Sequence, residues 1–279
     1  MMEHAIGTTF NFDIPIEEMV PMVSRAGFRR ISLAGGNALE SGYLQQDIRK
    51  RILRTCSQHG VLVDSIHAPF GSRFDISSPD PGIRTTGIEL TLRAIDACRM
   101  MGCPQLMIHL SDRFGKEELE TRISIIEKSM TSIVDYAHKH GIDIAVENLP
   151  SAQAAVLFEH ILSRFPENRL GMCLDTSHAH LSRTLCDLMR TYGRRITAVH
   201  ISDNRGEHDD HQLPYEGSID WDEFARHFAR TGYTGTFLLE VEMRESAFQD
   251  ASIFVTEAYS RSKRLVSMIE KHKLSDAKY

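Results

Sequence analysis

The sequence predicts an α/β fold, a (β/α)8 TIM barrel with a metal site at the C-terminal face of its strands. The first observation is that apolar, β-rich runs alternate with segments of helical period along the whole chain. The second is the length of 279 residues, which matches the roughly 250 residues typical of such a barrel. The third is that six predicted strands finish on a residue that can bind a metal or move a proton. Such groups at the rim of a core must be hydrated, paired or metal-bound.

The strand ends also distinguish a closed barrel from an open sheet. The six predicted strands span residues 61–67, 106–109, 142–147, 170–175, 196–200 and 236–240. An open sheet gathers its ligands at one switch point, whereas ligands from six strand ends converge only in a ring. Residues 6–9 read Ile-Gly-Thr-Thr, so no glycine-rich dinucleotide motif follows the first strand. A barrel is therefore favoured over a dinucleotide-binding sheet.

The N-terminal third begins with a predicted strand at residues 4–9 and a helix at 16–26. Strands at 29–33 and 61–67 flank a polar helix at 44–59, and Gly60 suits the left-handed conformation that ends many helices. Long helices follow at 83–101 and 117–140. In the second of these, apolar residues recur every three or four positions, at Leu119, Ile123, Ile126, Met130, Ile133 and Ala137.

The C-terminal half completes a count of eight strands and eight helices. Its helices are predicted at residues 154–165, 185–192, 221–231 and 252–271. Asp220 and Glu223 are spaced as a capping box at the start of the third of these. No linker rich in Pro, Gly or Ser divides the chain. The sequence therefore predicts a single domain over residues 1–279.

Composition narrows the function classes. Hydrophobic residues make up 42% of the chain and charged residues 25%, as in an ordinary globular protein. A net charge of −6 provides no broad basic field for phosphate backbones, so a nucleic-acid partner is disfavoured. The five cysteines are odd in number and lack paired spacing, which indicates reduced thiols. No basic leader and no run of 18 apolar residues is found, so we expect a cytoplasmic protein without a membrane partner.

Seven short stretches carry most of the chemistry. They are His67-Ala68-Pro69, Ile108-His109-Leu110, Val146-Glu147-Asn148, Leu174-Asp175-Thr176-Ser177-His178, Val199-His200-Ile201-Ser202-Asp203, Asp209-Asp210-His211 and Leu239-Glu240. Together they resemble the xylose-isomerase-like barrels, which include sugar and sugar-phosphate isomerases and epimerases together with endonuclease IV. The resemblance spans nearly the whole chain.

The resemblance implies two sets of site residues. In the epimerase branch, one divalent metal is held by four residues that match Glu147, Asp175, His200 and Glu240. The endonuclease branch adds ligands for a cluster of up to three zinc ions, which match His67, His109, His178, Asp209 and His211. Independently of the likeness, mixed carboxylate and imidazole donors suit Mn²⁺, Mg²⁺, Co²⁺ or Zn²⁺. The structural alternative for the acids is pairing with arginines.

Spacing adds detail to the second set. Asp175 and His178 stand three apart, so a helical turn after the sixth strand would aim both side chains the same way. Asp209 and His211 stand two apart, which places them on one side of an extended loop. The alternative for that pair is a solvated acidic loop, and for His67 and His109 it is a core role.

Of two further residues, Arg205 is a candidate for substrate binding and His180 is not a candidate ligand. Arg205, on the loop after the seventh strand, could neutralise a substrate phosphate, with a surface salt bridge as the alternative. His180 is expected to point away from His178, from which it stands two residues apart.

The leading functional hypothesis is a metal-dependent isomerase or epimerase acting on a sugar or sugar phosphate. The resemblance implies that Glu147 and Glu240 lie on opposite faces of the substrate, where one removes a proton beside a carbonyl and the other returns it. The metal would polarise the carbonyl and stabilise the enediolate. His67 and His178 would hold substrate hydroxyls, and a homo-oligomer is a further possibility.

Three alternatives remain open. The first is a trinuclear-zinc endonuclease acting at abasic sites in DNA, which the complete set of nine residues favours. The loops at 10–13 and 34–40 carry no Lys or Arg, although a duplex-binding surface normally places cations there. The second is a dehydratase of the same barrel. The third is a sugar-binding or structural barrel that has lost turnover, against which the intact pair of glutamates argues.

Overall fold

The computed structural model describes residues 2–35 and 42–276, which form eight strands and nine α-helices. The strands are β1 (His4–Gly7), β2 (Arg30–Leu33), β3 (Leu62–His67), β4 (Gln105–Ile108), β5 (Asp143–Glu147), β6 (Gly171–Asp175), β7 (Ile196–His200) and β8 (Phe237–Leu239). The helices are α1 (Ile16–Ala26), α2 (Gln46–Gln58), α3 (Pro81–Met101), α4 (Leu119–His140), α5 (Ala152–Arg164), α6 (Thr176–Leu181), α7 (Leu185–Tyr192), α8 (Trp221–Phe228) and α9 (Ala251–Asp276).

The eight strands form one parallel sheet with helices between them, in the order β7-β6-β5-β4-β3-β2-β1-β8. From β1 to β7, each strand pairs with the next strand in the chain, and β8 pairs with β1, as in a barrel built from successive β/α units. The predicted TIM barrel fold is confirmed. Two compact units make up the chain: the first spans Met1–Ile31, Thr55–Leu62 and Leu174–Tyr279, and the second spans Ser32–Arg54 and Val63–Cys173.

The first unit contains the junction of the sheet's two ends. β1 pairs with β8 in the register His4↔Phe237. Just past β7, the backbone N–H of Ile201 donates to the Leu238 carbonyl at 2.9 Å, and the N–H of Glu240 donates to the Ile201 carbonyl at 3.1 Å. These bonds place the residues that follow β7 beside those that follow β8.

Aromatic packing secures the helices of the first unit. Phe224, Phe228 and Phe237 are fully buried, and the Phe224 and Phe228 rings stack with centroids 5.1 Å apart. The predicted cap of α8 is present, because the Asp220 carboxylate accepts from the N–H groups of Asp222 and Glu223. This cap sets the residue at which α8 begins.

The second unit holds β3, β4 and β5 in parallel register, with Ile66↔Leu106 and Leu106↔Ile144 as partners. α4 packs on β5, and the predicted apolar stripe is buried in its C-terminal part, at Ile126, Met130, Ile133 and Ala137. Near the start of α4, the Arg122 guanidinium lies 2.7 Å from a carboxylate oxygen of Asp75. Because both side chains are almost fully buried, this ion pair ties the loop before α3 to α4.

Several predicted bounds needed correction. β4 ends at Ile108 and β8 at Leu239, so His109 and Glu240 are each the first residue after a strand, not the last residue in it. The first strand ends at Gly7 and continues as a short 3-10 helix over Thr8–Phe10. The predicted count of eight helices missed α6, which forms because the Asp175 carboxylate caps its first turn.

The structure does not describe residues 36–41. Of the loop predicted at 34–40, only Ala34 and Gly35 are among the described residues. In the described part of the chain, no helix combines the length and apolarity needed to span a bilayer.

Candidate functional site

Three side chains gather where β6, β7 and β8 end in the first unit. Asp175 and His200 are the last residues of β6 and β7, and Glu240 follows β8. The His200 Nδ1 lies 3.0 Å from the Glu240 Oε2, with the histidine buried and the glutamate side chain 14% exposed. Each of the three residues offers one ligand atom, and these atoms lie within 4.8 Å of one another. Two carboxylates and one imidazole at this spacing fit a single divalent cation.

α6 brings His178 to the same end of β6. The His178 N–H donates to the Asp175 Oδ1 at 2.6 Å, and the His178 Nδ1 lies 3.6 Å from that oxygen. The expected helical turn between the two residues is therefore present. His180 points elsewhere, as expected, since its Nε2 lies 2.9 Å from the Ser218 hydroxyl.

Asp209 links two histidines. Its Oδ2 lies 2.9 Å from the His178 Nε2 and 3.3 Å from the His211 Nε2. Burial alone would raise the pKa of the Asp209 carboxyl, but the hydrogen bonds from both histidines outweigh it and hold that pKa well below its ordinary value. Asp209 and His211 thus lie close together, as their spacing predicts, and form more than a solvated loop.

His211 is held at both ends of its ring. Its Nδ1 lies 3.1 Å from the Glu240 carbonyl, and its backbone adopts a left-handed φ of 46°. Burial lowers the pKa of His211, whereas the hydrogen bond to Asp209 and the charges of Asp209, Glu240 and Asp175 raise it to about 10. In the absence of a cation, this imidazole is therefore protonated at neutral pH.

A second cluster lies in the second unit, at the ends of β3, β4 and β5. The Glu147 Oε2 lies 3.1 Å from the His67 Nε2 and 3.4 Å from the His109 Nε2. One ligand atom from each residue lies within 4.8 Å of the others. The His67 and His109 rings meet edge to face, with centroids 4.7 Å apart, and Phe70 packs against both. The histidines therefore have a packing role together with a polar one.

The tautomer of His67 follows from its partners. Its Nδ1 lies 2.7 Å from the Ala68 carbonyl, which can only accept a hydrogen bond. Nδ1 therefore carries a proton, and Nε2 faces the Glu147 carboxylate. In the pairing of β5 with β6, Glu147 lies opposite Cys173. Asp175 follows Cys173 by two residues on β6.

Asp203 organises the loop that carries Asp209 and His211. Its fully buried carboxylate accepts from four donors: the N–H groups of Asn204, Tyr215 and Ile219 and the indole of Trp221, at 2.9 to 3.1 Å. Its backbone exchanges two 2.9 Å hydrogen bonds with Gln212. Only glycine fits at position 217, because an added Cβ would lie 2.3 Å from the Asp203 Oδ1.

Asp203 has no role among those predicted from the sequence. The available signal is an acid three residues past a buried strand, followed by a loop that ends on the only tryptophan of the chain. Arg205, in contrast, is exposed and lines a cleft of about 770 Å³ together with Arg183 and Asp220.

Comparisons with known proteins show the family and the fold of the chain. A family model described as "Xylose isomerase-like TIM barrel" matches residues 20–258. The uncharacterized protein y4fM of Sinorhizobium fredii is 26% identical over 92% of this chain and 91% of its own length. Fructoselysine 3-epimerase of Shigella flexneri is 20% identical over 91% of this chain and 94% of its own.

Two further matches extend the comparison. A probable endonuclease 4 of Acholeplasma laidlawii is 24% identical, over 51% of this chain and 53% of its own length. Among solved structures, a D-tagatose 3-epimerase-like protein superimposes with a TM-score of 0.81 at 18% identity, over 97% of this chain and 99% of its own. At this identity the structural likeness describes the fold.

Proposed function

The chain belongs to the xylose isomerase-like TIM barrel family, and from this premise we propose that it is a divalent-metal-dependent isomerase or epimerase of a sugar or sugar phosphate. The observation that carries the proposal is the close set of Asp175, His200 and Glu240 at the ends of three successive strands. Acidic and imidazole groups at this end of a TIM barrel are typical of catalytic sites.

The relatives support the same class of reaction. Fructoselysine 3-epimerase matches nearly the whole chain, whereas the probable endonuclease 4 matches about half of it. Epimerisation next to a carbonyl needs one group that takes a proton and a second group that gives one back. Two glutamates at strand ends meet that need.

A single metal would be held by Glu147, Asp175, His200 and Glu240. These residues end or follow β5, β6, β7 and β8, and parallel strands of a barrel open onto one face. The donor set suits Mn²⁺, Co²⁺, Mg²⁺ or Zn²⁺. When bound, the cation would polarise the substrate carbonyl and offset the negative charge of an enediolate.

The chain's own residues would move the proton. One of Glu147 and Glu240, as a carboxylate, removes the proton from the carbon beside the carbonyl, and the other, as a carboxylic acid, delivers a proton to the opposite face. The hydrogen-bonding capacity of His67 and His109 toward Glu147 keeps that carboxylate oriented. His67 and His178 are further proposed to hold substrate hydroxyls, with Asp209 fixing the orientation of His178. We assign Arg205 the weaker role of neutralising a substrate phosphate.

The glutamates are tested by removing their charge with little change in shape. In Glu147→Gln and Glu240→Gln, we expect incorporation of solvent deuterium into D-tagatose or fructoselysine to fall by about 10²–10⁴-fold, the typical contribution of a positioned acid or base. Elemental analysis of each variant reports whether the metal is retained.

Glu242→Gln is the matched control, because that glutamate lies two residues beyond Glu240 and pairs with Arg244 at 3.3 Å. Wild-type exchange rates in both strand-end variants would eliminate the acid–base assignment.

A second candidate, a trinuclear-zinc endonuclease, is favoured by the two histidine clusters. The sets His67–His109–Glu147 and His178–Asp209–His211 each bring three possible ligand atoms within 4.8 Å. Against this candidate, residues 10–13 carry no cation to contact a DNA backbone.

The metal content of protein purified without tag or chelator separates the two candidates. We expect one strand-end metal per chain, manganese or cobalt above all. Two or three zinc ions bound through the histidine clusters, together with cleavage of duplex DNA at an abasic site, would instead establish the endonuclease. Cys186→Ser protein is analysed in parallel, because Cys186 belongs to a separate set of possible metal ligands. Metal bound there would add to the count.

A further inference from the structure

Three residues with metal-binding atoms lie on two helices outside the strand-end clusters. Cys186 lies on α7, and Glu223 and His227 lie on α8. One ligand atom from each residue lies within 4.8 Å of the other two. None of the three enters the proposed proton transfer, and all belong to the first unit.

Helix geometry accounts for the convergence. Glu223 and His227 are four residues apart, so they stand on one face of α8, and α8 packs against α7. Phe224 and Phe228 are fully buried and Met189 is nearly so, which holds the backbones of both helices in place. The cluster is therefore supported by a rigid apolar layer, although its own side chains are partly or fully exposed.

The surroundings favour entry of a cation. Cys186 lines the cleft of about 770 Å³, whose walls carry four carboxylates against two arginines, Arg183 and Arg205. The carboxylates are those of Asp187, Glu207, Asp220 and Glu223. Burial raises the pKa of the Cys186 thiol, the charges of Glu223, Asp187 and Asp220 raise it further, and Arg190 lowers it. Three acids outweigh one arginine in the immediate environment of the sulfur.

We propose that Cys186, Glu223 and His227 form a zinc-binding site that joins α7 to α8. Thiolate and imidazole donors select zinc over magnesium or manganese, which prefer oxygen ligands. Three protein ligands leave one tetrahedral position for water. Because the cleft borders two of the three ligands, that position is accessible to solvent.

Cobalt reports on this site separately from the strand-end residues. When the metal-free full-length chain is titrated with Co²⁺, we expect a near-ultraviolet thiolate-to-cobalt charge-transfer band. The set Asp175, His200 and Glu240 contains only oxygen and nitrogen donors, but the thiol of Cys173 belongs to a further set of possible ligands at the strand ends. The titration is therefore run on Cys173→Ser protein, in which the strand-end ligands cannot produce this band. The measurement needs no turnover, so its failure is distinct from failure of the proposed enzyme activity.

Variants assign the band to its ligands. Cys186→Ser should abolish it, and His227→Gln should weaken cobalt binding by more than ~10-fold, since loss of even an outer partner of a metal ligand costs that much. His180→Gln is the matched control, because His180 lines the same cleft but is not one of the three ligands. Absence of a thiolate band, its persistence in Cys186→Ser, or equal weakening in His180→Gln would each overturn the proposal.

Discussion

His67 and His211 each have hydrogen-bond acceptors at both ring nitrogens. For each ring, Nδ1 contacts a backbone carbonyl and Nε2 faces a carboxylate, that of Glu147 for His67 and that of Asp209 for His211. The carbonyl requires a proton on Nδ1 of each ring, so Nε2 is the nitrogen that faces the carboxylate. The Nε2 atoms are therefore the ones suited to bind a metal or a substrate hydroxyl.

The pair of His211 and Asp209 predicts a pH dependence of stability. The folded-state pKa of His211 is raised to about 10, so the stability that it contributes is complete below its unfolded pKa of about 6.5. That contribution is lost as the pH rises through about 10. In Asp209→Asn, we expect metal-free protein to lose about 1 kcal/mol at pH 6, since the carboxylate is partly exposed.

Urea unfolding of both proteins in chelator, at pH 6 and pH 10, measures this difference. The two curves should converge at the higher pH. A gap that widens from pH 6 to pH 10 would mean that His211 is not protonated through Asp209.

At the scale of elements, the loop between β7 and α8 depends on one buried acid. Asp203 accepts hydrogen bonds from Tyr215 and Ile219, in the second half of that loop, and from Trp221, the first residue of α8. Its removal would leave these donors buried without their acceptor. The loop would then no longer hold Asp209 and His211 near the ends of β6 and β8.

Asp203→Ala should therefore destabilise the protein by about 3–5 kcal/mol, as breaking a buried, hydrogen-bonded charge does. Limited proteolysis should cut the loop first. Since Trp221 is the only tryptophan, its fluorescence should report the loss of the indole hydrogen bond.

Asp210→Ala is the control on the same loop, and we expect it to change stability by less than about 0.5 kcal/mol. Equal effects of the two substitutions would show that the loop does not depend on the Asp203 carboxylate.

At the scale of the whole molecule, the cysteines fall into a buried group and one partly exposed residue. Cys56, Cys98, Cys103 and Cys173 are buried, whereas Cys186 is partly exposed. Burial raises the pKa of Cys56 to about 11 and that of Cys98 well above its ordinary value. Burial also raises the pKa of Cys186, so access of a reagent to the sulfur is what sets Cys186 apart.

A thiol-specific reagent should therefore modify one cysteine of the native protein promptly at pH 8 and all five in denaturant. Peptide mapping should locate the first modification at Cys186, and added zinc should slow it. Prompt modification of a buried cysteine would indicate that the described core opens readily.

The sequence by itself determined the barrel and the presence of ionisable residues at its strand ends. Alternation of apolar strands with helical periods is a local property, readable from neighbouring residues such as Ile126 and Met130. Asp175 and His200 end buried strands as expected, because an ionisable residue after an apolar run marks the rim of a core.

Only the tertiary structure decided the partners of these residues. The four donors to Asp203 come from residues one to eighteen positions away, and the cluster of Cys186 with Glu223 and His227 requires α7 to pack on α8. Hydrogen bonds and metal ligands join atoms that are close in space. Which atoms meet depends on how elements pack, and that is a property of the folded chain, not of any short segment of sequence.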